Sequence, residues 1–186
     1  FISDQKWTIN QKSVKVNKNI FEAQIHDEIY NTYLNLKISY LDCGAARIRI
    51  EPYKKESFNR FDASLEPAII TQQELNSLIE INLVKDKEKC ILKPANSQKG
   101  QNIEITYSPF SLFVLDTNGE KKRIVINSNN TAVFETNRDQ KKHPELFESS
   151  SFGGHEDKFK NGPTSVSLDF DFIPSDVRLS GLPSHT

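Results

Sequence analysis

The sequence predicts an all-β chain, an antiparallel β-sandwich formed as a single domain over residues 1–186, and three observations carry that prediction. Short apolar runs with a period of two recur along the chain, and that period sets one face of a strand on a core and the other in water. Turn-forming residues punctuate the runs at short intervals. Helical periodicity is confined to Thr71-x-x-Glu74 ahead of Leu75 and Leu78, a capping box opening a turn or two.

Taken in order, Phe21, Ala23 and Ile25 alternate, then Leu34, Leu36 and Ile38, then Ile48 and Ile50 with Arg47 and Arg49 opposed. The run Ile79, Ile81, Leu83 reads as one strand, followed by Ile103, Ile105, Tyr107 and by Phe110, Leu112, Val114. Ile124 and Ile126 follow, and then Val133 with its neighbours. Asn118-Gly119 is the strongest hairpin signal, since both residues tolerate the positive φ of a type I′ turn. The cleanest strand is Val166 to Phe172, which predicts Val166, Leu168, Phe170 and Phe172 buried and Ser165, Ser167, Asp169 and Asp171 in water. Many short strands joined by turns make a sandwich or a barrel. Two long connections, 52–70 and 137–163, lack a clean period; the charged, serine-rich part at 137–151 is expected to be a flexible polar loop.

A chain of 186 residues can bury roughly 70% of its unfolded surface, enough for a core without metals or many disulfides. Its 24 basic and 25 acidic side chains leave a net charge of −1 with the signs interspersed, which argues against nucleic acid as a partner. No apolar run reaches the roughly 20 residues of a membrane span. The start, Phe-Ile-Ser-Asp-Gln-Lys-Trp, lacks the pattern of a signal peptide, and no Met occurs, so a soluble fragment cut from a longer chain is expected. Cys43 and Cys90 are the two cysteines; they are a candidate disulfide, or simply two thiols. Asn129-Asn130-Thr131 is an N-glycosylation sequon expected on an exposed turn.

Catalytic and metal-binding motifs are wanting. His26, His143, His155 and His185 have no His or Cys at zinc-ligand spacing, so no metal or other cofactor is expected. His155-Glu156-Asp157 reads as a loop-bracing histidine, and Gly-x-Ser-x-Gly and phosphate-binding glycine loops do not occur. Asp169 and Asp171, at i and i+2, would point the same way about 7 Å apart. That spacing could suit a carboxylate pair, although an exposed polar face is the ordinary reason for it. The aromatics Trp7, Tyr30, Tyr33, Tyr40, Tyr53 and Tyr107 are candidates for stacking on sugar rings, with most expected in the core and Trp7 expected partly exposed.

Several stretches, in order, resemble glycoside hydrolase family 31. They are Arg47-Ile-Arg-Ile-Glu51 followed by Phe58-Asn-Arg-Phe61, Ile105-Thr-Tyr-Ser-Pro-Phe-Ser-Leu112, Phe152-Gly-Gly-His-x-Asp157, Gly162-Pro-Thr-Ser-Val-Ser-Leu-Asp-Phe170 and Gly181-Leu-Pro-Ser-His185. The resemblance implies a galactose-mutarotase-like sandwich placed ahead of a catalytic α/β barrel that is missing from these residues. It implies a retaining α-glucosidase of the endoplasmic-reticulum lumen that trims α-1,3-linked glucose from N-glycans. Its implied partners are the barrel of the same protein, a β-subunit and the N-glycan substrate. The barrel's Trp-x-Asp-Met motif does not occur here, so no catalytic residue is carried over. Gly181, Pro183 and His185 are the candidates for the substrate entrance. The alternative reading is a free-standing carbohydrate-binding or adhesive sandwich.

Overall fold

The computed structural model describes residues 5–29, 31–53, 78–95, 100–116, 118–134, 150–152, 154–157 and 166–173. Among them there is no helix, and the strands pair antiparallel throughout. The first sheet holds β1 (Trp7–Asn17), β2 (Ile20–Asp27), β3 (Thr32–Leu41) and β4 (Ala46–Pro52) side by side, with β5 (Leu78–Ile79) on the end of β3 at Tyr40 and Leu41. The later strands are β6 (Ile81–Lys85), β7 (Lys89–Pro94), β8 (Ile103–Tyr107), β9 (Phe110–Leu115), β10 (Lys122–Ile126), β11 (Val133–Phe134), β12 (Ser150–Phe152), β13 (His155–Asp157), β14 (Val166–Ser167) and β15 (Phe170–Phe172). The second sheet is a meander in the order β15-β10-β9-β8-β7-β6. Two ribbons, β11 with β14 and β12 with β13, complete the described structure.

The two sheets meet through the apolar positions that alternate in the sequence. Phe21, Ala23, Ile25, Leu34, Leu36, Ile38 and Tyr40 face Cys90, Leu92, Ile103, Ile105, Tyr107, Phe110 and Leu112 in one buried cluster. The strand β1 touches β6, β8 and β9 across the interface. Polar groups taken into this core find partners, as the cost of leaving them unpaired requires. The Tyr40 hydroxyl donates to the Gln101 carbonyl at 2.7 Å. Trp7 is 2% exposed and not at the surface as expected, because its ring packs in the core while its indole N–H donates to the Ala132 carbonyl at 2.9 Å.

The alternation of Ile79, Ile81 and Leu83 is not one strand. The chain crosses from the first sheet to the second at Glu80, whose carbonyl accepts from the Ala95 amide at 2.8 Å. Each apolar residue keeps facing the core on either side of the crossing, so the period survives the change of sheet. The turn between β1 and β2 is Lys18-Asn19, with φ of 48° and 64°, the pair of positive values that a type I′ hairpin needs. The β9–β10 hairpin forms where expected, but through a longer loop. There Gly119 has positive φ, 76°, and the Asp116 carboxylate takes the Glu120 amide at 2.9 Å and the Lys121 amide at 3.2 Å. A side chain at Gly119 would also meet the Asn102 amide at 2.7 Å.

Candidate functional site

The stretch Val166–Phe172 folds as two short strands with different partners. Val166 and Ser167 pair with Phe134 and Val133, while Phe170 to Phe172 pairs with Ile126 to Ile124 at the edge of the second sheet. What divides them is Asp169. Its carbonyl accepts from the Asn127 amide at 3.0 Å. Its carboxylate accepts from the Thr131 hydroxyl at 2.6 Å, the Ser128 hydroxyl at 3.0 Å and the Asn129 amide at 3.3 Å. The ladder is thus broken to hold the turn 127–131. The expected burial of this segment is corrected accordingly: Val166 is 50% and Phe170 54% exposed, and Leu168 and Phe172 are half-buried.

Asp169 and Asp171 do point the same way, because both accept from the single Ser128 hydroxyl, Asp171 at 3.2 Å. Burial raises the Asp169 carboxyl, but the bonds from Thr131, Asn129 and Ser128 together outweigh it and hold the group below its ordinary value. The same bonds favour the ionised form, in which the group accepts hydrogen bonds from the turn. Asn127 completes the turn from within. It is fully buried with φ of 60°; its side chain donates to the Phe110 carbonyl at 2.7 Å and accepts from the Ala132 amide at 2.9 Å. Asn129 is exposed on this turn.

Two apolar hollows flank the broken strand. One, of about 100 Å³, lies where the β11–β14 ribbon crosses the sandwich end, between Trp7, Leu34, Phe110, Phe134, Val166 and Leu168. The other, of about 420 Å³, opens between the two sheets, with Ala46 and Ile48 of β4 facing Val114, Ile124, Phe170 and Phe172. With the exposed Ile173 beside them, they leave an apolar face at this end of the described structure.

The remaining candidates sort as follows. Cys43 is exposed in the turn after β3 and Cys90 is buried in β7, each a free thiol. Burial pushes the Cys90 thiol up to about 11, against a hydrogen bond with Tyr107 and the Lys85 charge that pull it down. Phe152 pairs with His155 and Ser151 with Glu156 in the β12–β13 ribbon, and Gly154 beside it has φ of 87°. Tyr40 and Tyr107 are core residues, whereas Tyr33 and Tyr53 are exposed. The His26 ring stacks on Tyr33 at 4.3 Å, and its Nε2–H donates to the Asn31 side-chain carbonyl at 3.3 Å. Gly181, Pro183, His185, His143, Tyr30, Phe58–Phe61, the capping box at Thr71 and the polar stretch up to residue 149 lie outside the described residues. Among the described residues no cluster of His, Cys, Asp and Glu could hold a metal. Among those residues no helix is long and apolar enough to cross a membrane.

The signature of the glycosyl hydrolase 31 N-terminal galactose mutarotase-like domain matches residues 35–186. Among solved structures, the whole chain is similar to a Tris-bound glucosidase II alpha subunit at 25% identity with a TM-score of 0.75. It is similar to a DNJ-bound glucosidase II alpha subunit at 25% identity with a TM-score of 0.74. It is also similar to a chain of an ER glucosidase II heterodimeric complex of catalytic subunit and regulatory-subunit binding domain, at 25% identity with a TM-score of 0.73. The chain spans 21–22% of the length of these three. No curated protein matches the sequence.

Proposed function

The chain belongs to the glycosyl hydrolase 31 N-terminal galactose mutarotase-like domain family, and from that premise we propose that it is the noncatalytic front part of a retaining α-glucosidase of the glucosidase II type. The enzyme works in the endoplasmic-reticulum lumen and trims α-1,3-linked glucose from N-glycans. The carboxylate pair that such hydrolysis needs comes from the barrel, since Asp169 and Asp171 are committed to a turn. The observation that carries the reading is the apolar face around Phe170 and Phe172. A surface of this kind is what a sandwich docked on a larger domain presents. The barrel covers that face, Gly181, Pro183 and His185 lead the chain to the substrate entrance, and the glucosidase II β-subunit binds the assembled enzyme. Asn129, exposed on its turn, carries an N-glycan.

The test uses the complete protein and this chain side by side on an α-1,3-linked glucose disaccharide. The complete protein should release glucose and the 186-residue chain should not. Phe170→Asp should leave the thermal midpoint of this chain nearly unchanged and lower that of the complete protein. A complete protein without glucosidase activity, or hydrolysis by the short chain that is lost in Asp169→Ala, overturns the reading.

A further inference from the structure

The outer face of the first sheet is ordered in rows by its register. His26 pairs with Tyr33, and the Tyr53 amide bonds the Tyr33 carbonyl, so these three residues form a row of rings. The next row toward the other end of the strands holds Asn10, Gln24, Asn35 and Glu51, and the one after it Lys15, Glu22, Lys37 and Arg49. Successive rows lie about 7 Å apart. Along them runs a groove of about 420 Å³ lined by Tyr53, Gln24, Asn35, Glu22, Lys37 and Lys12 among others. That volume falls within the roughly 300–1,000 Å³ of clefts that take small ligands. The rings, with Tyr53 52% and Tyr33 38% exposed, stand on solvent and not on the core that the opposite side of these strands serves.

We propose that this outer groove is a binding site for neutral oligosaccharides built of pyranose rings. A pyranose ring has an apolar C–H face and a polar rim, and the groove offers a partner to each. Tyr53 supplies a flat apolar wall that loses little conformational freedom on contact. His26 stacks on Tyr33 at 4.3 Å, and Tyr33 lies 6.3 Å from Tyr53 at 54°, so the wall is braced from behind by two rings. The Asn35 backbone is laddered between β2 and β4, while its side-chain amide has no hydrogen-bond partner among the described residues, which leaves that donor and acceptor for hydroxyls. The long cationic side chains beside the groove are held along the sheet, Lys15 by Glu22 at 3.2 Å and both Lys37 and Arg49 by Glu51, so recognition is assigned to the ring and the amide and not to charge. Nothing in the site draws on the glucosidase reading, and it would serve a free-standing module equally well.

The experiment is calorimetric titration of the 186-residue chain with maltohexaose, an α-mannohexaose and a heparin-derived hexasaccharide at physiological salt. Maltohexaose or the mannose hexamer should bind with a Kd on the order of 1 mM or tighter, and the heparin fragment should not. Tyr53→Ala and Asn35→Ala should each weaken binding about five- to tenfold, whereas Val84→Ala, an exposed site on the other sheet, should not. Tyr53→Phe, which keeps the ring, should bind nearly as the parent, and it guards against reading a misfolded variant as lost binding. No binding of either neutral hexamer, preference for the heparin fragment, or unaltered binding by a folded Tyr53→Ala overturns the proposal.

Discussion

Asn127 concentrates much of the local order in one side chain. It is fully buried, sits at φ of 60°, and uses its amide N–H, amide oxygen and backbone carbonyl to tie Phe110, Ala132 and Ser111 together. Asn is among the few side chains that accept a left-handed backbone readily. Replacement by Ala leaves the Phe110 carbonyl and the Ala132 amide without their partner and adds backbone strain. We expect Asn127→Ala to lose about 2–4 kcal/mol of stability in urea unfolding. Asn127→Gly should lose nearly as much, since it relieves the strain but restores no hydrogen bond. The cysteines give a second test at this scale. Cys43 is exposed, while Cys90 is buried with its thiol held up to about 11, and reactivity follows exposed thiolate. The native chain should therefore show one rapidly labelled thiol with an aromatic disulfide reagent and two in denaturant, unchanged by prior reduction.

Among elements, the turn 127–131 and its acceptor Asp169 decide how the carboxy-terminal strands are laid out. The Asp169 carboxyl lies below its ordinary 3.8 in the folded chain. A depressed folded value means that the stability it contributes is present above the ordinary value and is lost as pH falls through the lower one. The gap in urea midpoint between the parent chain and Asp169→Asn should thus be wide at neutral pH and shrink as the pH drops below 3.8. This same residue shows why the sequence was readable only in part. Alternation at Phe21–Ile25, Leu34–Ile38 and Ile103–Tyr107 gave both strand and buried face, since one sheet covers each run from end to end. Val166–Phe172 alternates just as cleanly, yet it changes partners at Asp169, and Ile79–Leu83 changes sheets at Glu80. A period of two reports the facing of side chains and is silent about which neighbour supplies the hydrogen bonds. Lys18-Asn19 carried no glycine and gave no hairpin signal, although its φ values are the ones Asn-Gly was expected to supply at 118–119. The rows of the outer groove were illegible for a related reason: they exist only in the register of four strands, while Tyr33 and Tyr53 are far apart in the chain.

At the scale of the whole molecule, the sandwich presents two unlike surfaces: an apolar one at the broken strand and a ring-and-amide one on the outside of the first sheet. The sheets behind them are fastened to each other by more than apolar contact. The Tyr40 hydroxyl reaches from β3 to the Gln101 carbonyl, and the Lys85 ammonium reaches from β6 to the Val14 carbonyl of β1. One feature of β1 also bears on how the molecule behaves in a crowd. Among the described residues this strand ends the first sheet, and an edge of that kind is a template for pairing with another chain. Its pairing with β2 is interrupted between Asn10 and Lys15, where the Ser13 hydroxyl donates to the Asn10 carbonyl at 2.6 Å and accepts from the Gln24 amide at 2.8 Å. The irregular stretch carries Lys12 and is followed by Lys15. A margin whose ladder is broken by a bulge and which carries the exposed Lys12 pairs poorly with a second copy of itself. The kink in β1 therefore acts as a guard against self-association, keeping a long sheet margin from seeding aggregates while the chain is concentrated or newly made.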